Sequence, residues 1–198
     1  MSAERVAAVV LAGGDSRRFG QPKALLRLQG ETLVHRAARA ALEGGAQPVW
    51  VVAGVDPVPL EAATRDLDVS VLANRQRARG LARSIGAGVR AVQAHLPPAP
   101  ALLLLLADQP ALDARVVARL LRLHFRFPED RVACFYAGQL GAPALFPARD
   151  FPALLALRGD RGARSLLRAE PERVRQVPFP GGALDVDTPE DWRRWRAS

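Results

Sequence analysis

The sequence predicts an α/β fold: a three-layer α/β/α arrangement with a mainly parallel sheet covered by helices on both faces. Short apolar runs typical of strands alternate along the chain with segments whose apolar residues recur at helical spacing. Several of the strand runs are apolar almost throughout, above all the leucine-rich run at 101–107. Such runs are typical of parallel strands that are buried on both faces.

The predicted elements follow one another closely along the chain. We predict strands at 5–11, 48–53, 69–72, 101–107, 131–136 and 173–177. We predict helices at 31–43, 59–67, 81–95, 114–125, 163–168 and 189–195. The sequence shows no internal repeat and no linker long enough to separate domains, and its 198 residues suffice for one core. We therefore expect residues 1–198 to form a single domain.

The chain carries a formal net charge of +8, with 28 lysine and arginine residues against 20 acidic ones. A charge of this kind can serve nucleic-acid binding, because basic side chains neutralise phosphates. Here the arginines are spread along the whole chain, and aromatic residues make up only 6%. We expect no nucleic-acid partner and interpret the charge as suited to a small anionic substrate. A non-catalytic basic module that binds nucleotides or nucleic acid is the alternative from another class.

The sequence indicates a cytoplasmic protein without a membrane partner. Its longest apolar run, at 101–107, is far shorter than the roughly 20 residues that a membrane helix needs. The first residues lack the basic head and separate apolar segment of a secretory leader, so we do not expect secretion.

The cysteine and histidines do not suggest a catalytic or metal site. Cys134, the only cysteine, cannot form an internal disulfide and is predicted to be a small buried hydrophobe. His35, His95 and His124 fall in predicted helices without metal-ligand spacing. We expect each histidine to be a surface or packing residue.

The stretch VVLAGGDSRRFGQPKALL, residues 9–26, places the glycine pair Gly13-Gly14, two arginines and a lysine directly after a strand. Gly13 and Gly14 lack a Cβ, so the backbone N–H groups around them can approach a ligand closely. The basic side chains add positive charge, and Lys23 is the only lysine in the chain. The stretch predicts a phosphate-binding loop, with a glycine turn and solvated arginines as the alternative.

The spacing excludes two common phosphate loops. A P-loop needs G-x-x-x-x-G-K-[ST], whereas five residues separate Gly14 from Gly20, and Gln21 and Pro22 precede Lys23. The dinucleotide pattern G-x-G-x-x-G is also absent from the loop. The loop must therefore bind phosphate in another way.

Two acidic positions suit a divalent cation. Asp108 directly follows the leucine strand, where ligands of parallel sheets bind, and Mg²⁺ takes one or two carboxylates together with substrate phosphates. A helix-cap or turn aspartate is the alternative for Asp108. Near the end of the chain, helix capping explains 188–191 but leaves Asp185 and Asp187, which would face the same side of an extended segment.

These motifs resemble those of the MobA/MocA-like NTP transferases, nucleotidyltransferases of the GT-A-like fold that attach a nucleotide to molybdopterin. The loop resembles their signature in the pattern Leu11-Ala12-Gly13-Gly14-x-Ser16-x-Arg18-Phe19-Gly20-x-Pro22-Lys23, with Phe19 where the family usually has Met. The segments at 106–110 and 185–191 resemble the metal-binding segment and the D-[IV]-D-T-P-E-D ending of that family. The resemblance runs from residue 6 to about residue 195, and it is weakest at the arginine-rich stretch after Asn74.

The resemblance implies a Rossmann-like nucleotide-diphospho-sugar transferase fold, a Mg²⁺ cofactor and a nucleoside triphosphate substrate. It implies that Arg18 binds the triphosphate, that Lys23 neutralises the α-phosphate, and that Asp108 completes the catalytic set. We assign nucleotide binding to Leu11, Ala12, Gly13, Gly14, Arg18, Lys23, Asn74 and Ser84. The metal ligands would be Asp108 and Asp187, with Asp185 as the competitor for Asp187.

The resemblance also implies a phosphate acceptor, namely molybdopterin or the molybdenum cofactor, and a molybdoenzyme or its chaperone as the downstream partner. We assign the acceptor side to Gly141, Pro143, Gly159, Asp160 and Arg164. In this interpretation a turn at 159–162 presents Arg164 to the pterin phosphate. A solvated turn is the alternative for this segment.

The nucleotide base and the acceptor have competing assignments. Gly13 gives the Leu-Ala-Gly-Gly form that resembles guanylyltransferases. Pro22-Lys23, Gly159-Asp160 and the ending with Asp185 resemble the cytidylyltransferase branch, so CTP is favoured over GTP. A sugar phosphate or another small phosphate is the alternative acceptor.

Overall fold

A computed structural model describes residues 5–14, 22–76, 80–183 and Trp192. The strands of the main sheet are β1 (Ala7–Leu11), β4 (Val49–Val52), β5 (Ser70–Leu72), β6 (Ala101–Leu106), β7 (Arg131–Tyr136), β8 (Gln139–Pro147) and β9 (Val174–Pro178). A separate hairpin consists of β2 (Arg27–Leu28) and β3 (Glu31–Thr32). The strand order in the main sheet is β5-β4-β1-β6-β8-β7-β9.

Helices cover both faces of this sheet, as the sequence predicts. They are α1 (Leu33–Glu43), α2 (Val58–Ala63), α3 (Leu81–Ala94), α4 (Ala114–Arg126), α5 (Phe151–Ala156) and α6 (Arg164–Ala169). Alternate residues of each strand point to opposite faces, so Ala8 and Val10 of β1 pack with α1, α2 and α4, whereas Ala7 and Val9 pack with α3, α5 and α6. The three-layer α/β/α prediction is therefore confirmed. No helix in the described ranges is long and apolar enough to cross a membrane.

The register of four parallel strands brings their carboxyl ends to one level. β1 pairs with β6 through Leu11 and Leu106 and with β4 through Leu11 and Val52. β4 pairs in turn with β5 through Val52 and Leu72. Ligands of parallel sheets bind beyond these ends, so the loops after β1, β4, β5 and β6 are placed side by side at the edge where a site is expected.

The strand β8 is the antiparallel member of the described sheet, and the sequence analysis did not predict it. Its pairing with β7 shifts from Ala133–Ala144 to Cys134–Gly141, so Ala142 and Pro143 form a bulge. The described pairing of β8 with β6 runs only as far as Leu104–Ala144. Because β6 continues beside β1 for two further residues, β6 and β8 diverge towards the site edge.

Most predicted elements agree with the structure to within a few residues. The helix predicted at 59–67 is shorter, because its regular part ends at Ala63. The short helix α5 was not predicted. The helix predicted at 189–195 lies outside the described residues except for Trp192, which packs with Leu26, Leu28 and Leu33.

A buried ion pair joins β7 to the chain around α5 and α6. Arg131 donates from Nε and Nη2 to the two carboxylate oxygens of Asp150, both at 2.8 Å, and from Nη1 to the carbonyl of Leu166 at 2.8 Å. Both side chains are buried, and the hydrogen bonds to Asp150 raise the pKa of Arg131. A buried charge is tolerated when such bonds satisfy it.

Asp150→Asn should destabilise the protein by about 3 kcal/mol, because it leaves Arg131 charged and poorly paired in the interior. Asp130→Asn is the matched control, since Asp130 pairs with the partly exposed Arg175 and should cost less than about 1 kcal/mol. Urea unfolding followed by circular dichroism measures both. Equal losses in the two variants would contradict this account of the buried pair.

A second charged cluster fastens the start of α1 to the segment after α2. His35 Nδ1 lies 2.5 Å from Glu31 Oε1, and His35 Nε2 lies 3.1 Å from Asp66 Oδ2. Burial lowers the pKa of His35, but the hydrogen bonds to Asp66 and Glu31 outweigh burial, so the net pKa is raised. Burial likewise raises the pKa of Glu31, and hydrogen bonds from Arg39 and His35 reverse that effect and lower it overall. His35 is therefore a packing residue in an ionic cluster.

The stability contributed by His35 should depend on pH. Because its folded pKa is above the ordinary 6.5, the contribution is complete below pH 6.5 and is lost as the pH rises through the raised value. His35→Gln should flatten the stability profile in that window. His95→Gln, where the ring packs edge-on against Trp50, is the control and should keep the wild-type profile. Thermal unfolding across pH 5 to 9 tests this, and an unchanged profile in His35→Gln would contradict it.

Candidate functional site

The candidate site lies along the carboxyl edge of β5, β4, β1 and β6. Backbone pairing continues one residue beyond the strands: Ala12 N donates to Val52 O at 3.0 Å, and Ala53 N donates to Leu72 O at 2.8 Å. On the other side of β1, Ala107 N donates to Leu11 O at 3.2 Å. The loop of Gly13 and Gly14 therefore begins level with the loop that carries Asp108.

The two glycines of this loop have different local environments. A Cβ on Gly13 would lie 3.1 Å from the carbonyl oxygen of Ala53, closer than an ordinary van der Waals contact, so glycine favours close packing of the loop against the neighbouring strand end. A Cβ on Gly14 would have no atom of the described residues within 4 Å, and Gly14 is exposed. No described neighbour therefore excludes a side chain at Gly14, and a glycine there lets a ligand approach the backbone closely.

Asp108 is partly buried in the turn after β6. The N-cap of α4 is Asp113, whose carboxylate accepts from Val116 N at 2.9 Å. The helix-cap part of the alternative for Asp108 is therefore wrong, whereas Asp108 does lie in a turn. Asp108 follows Ala107, whose backbone N–H pairs with the end of β1.

The carboxylate at this edge suits a divalent cation that takes its other oxygen ligands from a bound substrate and water. Among the described residues, no group of three or more His, Cys, Asp or Glu side chains could hold a metal ion. One carboxylate at an open edge fits Mg²⁺ or Mn²⁺, which accept further oxygens from phosphates and water. Asp185 and Asp187, the predicted partners of Asp108, lie outside the described residues, as does Arg18.

Asn74 and Ser84, both predicted to bind nucleotide, form a buried pair. Asn74 Nδ2 donates to Ser84 Oγ at 3.0 Å, and Asn74 Oδ1 accepts from Gln76 N at 3.1 Å. The pair ties the loop after β5 to the first turns of α3. In this structure their polar atoms brace that loop, and a direct contact with nucleotide stays a prediction.

Lys23 begins a 3-10 helix at Lys23–Leu25, directly after the undescribed part of the glycine loop. Pro22 O and Lys23 O accept from the backbone N–H groups of Leu25 and Leu26. The short helix packs against α1 and α2, and the Lys23 side chain is partly buried. The lysine is therefore carried on a segment braced by the helical layer.

The residues predicted to bind the acceptor form two groups. One lies on β8 and the start of α6, and the other is a turn beside the start of α3. A Cβ on Gly141 would lie 2.4 Å from the Tyr136 hydroxyl and 3.1 Å from Arg164 Nη2. Arg164 is exposed at the start of α6 and donates to Gln139 Oε1 at 3.3 Å. Pro143 is buried in the β8 bulge. Gly141, Pro143 and Arg164 thus belong to one wall of the site edge.

Gly159 and Asp160 form a turn that rests on the start of α3. Gly159 O accepts from Ala82 N at 3.1 Å. Gly80, with φ of +100°, comes so close to Gly159 that a Cβ would lie 2.4 Å from its carbonyl. The predicted turn is confirmed, and it contacts the helix that carries Ser84.

Gln109 lies in the segment 106–110 that the sequence analysis singled out, but the analysis gave it no role of its own, and it did not predict Tyr136 as a candidate site residue. Gln109 is 3% exposed, and its Nε2 donates to Ala142 O at 2.9 Å and lies 3.4 Å from the Tyr136 hydroxyl. In the sequence, its position directly after Asp108 was the feature that could have indicated a role. A buried amide beside a candidate metal ligand needs a structural or functional reason.

Cys134 is fully buried in β7, and burial raises the pKa of its thiol to about 12. A thiol with that pKa stays protonated near neutral pH and is not a nucleophile. The prediction that Cys134 is a packing residue is confirmed.

A family model described as MobA-like NTP transferase domain matches residues 8–175. The match includes both glycines, Lys23, Asp108, Gln109, Gly141, Pro143 and Arg164. It covers most of the described sheet.

Three relatives match over almost their whole length. The probable molybdenum cofactor guanylyltransferase of Opitutus terrae is 35% identical over 100% of this chain and 91% of its own. The nicotine blue oxidoreductase of Paenarthrobacter nicotinovorans is 33% identical, covering 96% and 95%. The purine catabolism protein PucB of Bacillus subtilis is 31% identical, covering 93% and 92%.

Solved structures agree with the fold. Rv0371c from Mycobacterium tuberculosis superposes with a TM-score of 0.82 at 30% identity, covering 100% of both chains. A complex of Rv0371c with manganese gives 0.77 at 27% identity, again over 100% of both. A nucleotidyl transferase from Methanothermobacter gives 0.80 at 25% identity, covering 98% and 97%.

The two glycines provide a matched pair of variants. Gly14→Ala should change the free energy of unfolding by less than about 0.5 kcal/mol, because its new methyl group meets no atom of the described residues, yet weaken nucleoside triphosphate binding about tenfold by blocking close approach. Gly13→Ala should lower stability, because its methyl group presses on the Ala53 carbonyl. Urea unfolding and calorimetric titration with CTP and GTP separate these effects. Full nucleotide affinity in Gly14→Ala would contradict the proposed loop contact.

Proposed function

The chain belongs to the MobA-like NTP transferase family, and from that premise we propose that it transfers the nucleoside monophosphate of CTP or GTP to the phosphate of molybdopterin. Pyrophosphate is the second product. The coarser activity, nucleotidyl transfer, follows from the family and agrees with the nucleotidyl transferase among its structural neighbours. The acceptor and the base are the finer part of the proposal.

The observation that carries the proposal is that the glycine loop after β1 begins level with the turn that carries Asp108. The backbone around Gly14 is open, and Asp108 follows β6, whose next residue pairs with the end of β1. Backbone N–H groups and a carboxylate side by side suit a phosphate chain that carries a divalent cation.

In the proposed reaction, an oxygen of the acceptor phosphate attacks the α-phosphorus of the nucleotide. The new P–O bond forms as the bond from the α-phosphorus to the bridging oxygen breaks, and the electron pair leaves with pyrophosphate. The acceptor is already an anion, so no side chain needs to remove a proton. Positioning and neutralisation of charge then supply most of the rate enhancement.

The residues have separate roles in this proposal. The backbone from Ala12 to Gly14 binds phosphate, Lys23 neutralises the α-phosphate, and Arg18 holds the triphosphate. Asp108 would hold Mg²⁺ or Mn²⁺ with Asp187 or Asp185, and the ion would neutralise charge on the phosphate oxygens. The manganese complex of Rv0371c supports a divalent cation in this fold.

The choice of acceptor rests on the names of relatives and on the acceptor wall. A relative at 35% identity is named as a probable molybdenum cofactor guanylyltransferase, which supports a molybdopterin acceptor and GTP. The resemblance of Pro22-Lys23 and Gly159-Asp160 to cytidylyltransferases supports CTP. Arg164, exposed beside Gly141, offers a guanidinium for the acceptor phosphate.

Pyrophosphate release with Mg²⁺ tests the proposal. CTP and GTP are supplied separately, with and without molybdenum cofactor. We expect release with one nucleotide and only in the presence of the cofactor. Release with a sugar phosphate instead would move the acceptor to another class, and no release with any phosphate acceptor would refute nucleotidyl transfer.

Lys23→Ala should lower kcat about 100-fold or more, because the charge that develops at the α-phosphate loses its neutralising ammonium. Lys23→Arg should fold normally and also lose most turnover, since a planar guanidinium fits a single phosphoryl oxygen poorly. Arg122→Ala, an exposed position on α4, is the control for lost positive charge. Near-normal turnover in Lys23→Arg would refute the assigned role.

Asp108→Asn should raise the Mg²⁺ concentration needed for half-maximal activity by about tenfold or more, because a neutral amide oxygen binds a hard cation weakly. Asp113→Asn is the control, since asparagine also caps helices and α4 should stay intact. Turnover is measured across a magnesium titration. An unchanged titration curve in Asp108→Asn would show that the metal lies elsewhere.

A further inference from the structure

The divergence of β6 from β8 divides the site edge into two sides. The nucleotide side follows β1 and β6 and carries Gly14 and Asp108. The acceptor wall, which we define as Tyr136, Gly141–Pro143 and Arg164, follows β7, β8 and α6. The described ladder between β6 and β8 runs no further than Leu104–Ala144, so backbone pairing of these strands does not set the spacing between the two sides.

Gln109 crosses this divergence. It follows Asp108 on the nucleotide side, and its Nε2 donates at 2.9 Å to the carbonyl of Ala142 in the β8 bulge. A carbonyl only accepts hydrogen bonds, so the amide nitrogen must face Ala142 and the orientation of the amide is determined. The backbone carbonyl of Gln109 also accepts from Leu112 N at 3.1 Å, which fixes the turn that carries it.

The acceptor wall is packed tightly around the far end of this bridge. The Tyr136 hydroxyl lies 3.4 Å from Gln109 Nε2, and it occupies the space where a Cβ of Gly141 would lie. The Tyr136 ring also fills the position of a Cβ on Gly182, at 2.6 Å. If Ala142 moved, the packed residues of the acceptor wall would therefore have to move with it.

The amide oxygen of Gln109 suggests that the bridge serves more than stability. Gln109 is buried, and its Oε1 has no hydrogen-bond partner among the described residues. Burial of an acceptor without a donor costs more free energy than one amide hydrogen bond contributes. A methionine of similar volume would avoid that penalty but would remove the donor to the Ala142 carbonyl, so the feature that glutamine supplies here is the contact with Ala142.

We propose that Gln109 is a positioning residue that couples the metal side of the site to the acceptor wall. Loading the nucleotide side then stiffens the wall through the contact of Gln109 with Ala142. The inference rests on the proposed function for the identity of the two sides, but the coupling can be measured without turnover.

Hydrogen exchange of the β8 amides tests the coupling, with Mn²⁺ and either CTP or GTP as the probe. In the wild-type protein we expect the amides at 140–145 to exchange about tenfold more slowly when the probe is bound. Gln109→Met should abolish this slowing while binding the probe within about threefold of wild type. Gln93→Met, at an exposed position on α3, is the matched control and should retain the slowing.

Gln109→Glu is the second variant, because it keeps the shape of the side chain but cannot donate to Ala142 when ionised. Like Gln109→Met, it should show no slowing of amide exchange when the probe binds. If Gln109→Met fails to fold, Gln109→Glu alone tests the coupling. Slowing of wild-type size in a folded Gln109 variant overturns the coupling, as does a wild-type protein that shows no slowing. Slowing that needs Gln109 in a protein that releases no pyrophosphate would support the coupling and refute the proposed function.

With an active protein, the same variants separate positioning from a merely structural role. Gln109→Met should raise KM for the acceptor about tenfold and leave KM for the nucleotide within about threefold. Equal changes in both constants would indicate general damage to the site and would overturn the proposal.

Discussion

The parallel register of β1 with β4 and β6 is the constraint on which the site depends. Pairing continues one residue past the strand ends, so the first glycine loop and the turn with Asp108 start at the same level. The preference for glycine at position 13 follows from the same register, because it brings the Ala53 carbonyl to 3.1 Å from the place of a Cβ. An open loop and a carboxylate are thus juxtaposed by backbone pairing alone.

The antiparallel strand β8 divides the edge of the sheet into two sides. Its bulge at Ala142 and Pro143 accompanies the divergence from β6 and separates the side that carries Asp108 from the wall of Tyr136, Gly141 and Arg164. A transferase must bind two anionic substrates close together without fusing their sites, and a divided sheet edge suits that need. Gln109 is the buried polar link between the two sides in the described chain.

The sequence predicted the parts of the fold that depend on local pattern. Continuous apolar runs revealed β1, β4 and β6, and they placed the glycine pair and Asp108 directly after two strands, as the structure does. The strand β8 was missed because Gly141, Pro143 and Pro147 obscure its alternation, and these residues are explained only by a bulge and by contact with Tyr136. The contact of Gln109 was not predicted for a related reason: its partner Ala142 is distant in sequence and is brought near only by the tertiary fold.

The most direct test of nucleotidyl transfer follows the phosphorus atoms of the nucleotide. The protein is incubated with Mg²⁺, molybdenum cofactor and CTP or GTP, labelled either at the α-phosphorus or at the γ-phosphorus, and the cofactor product is isolated. Label from the α-position in the cofactor, with γ-label found only in pyrophosphate, is the predicted result. Transfer of γ-label to the cofactor, or of neither label to any phosphate acceptor, would contradict the account.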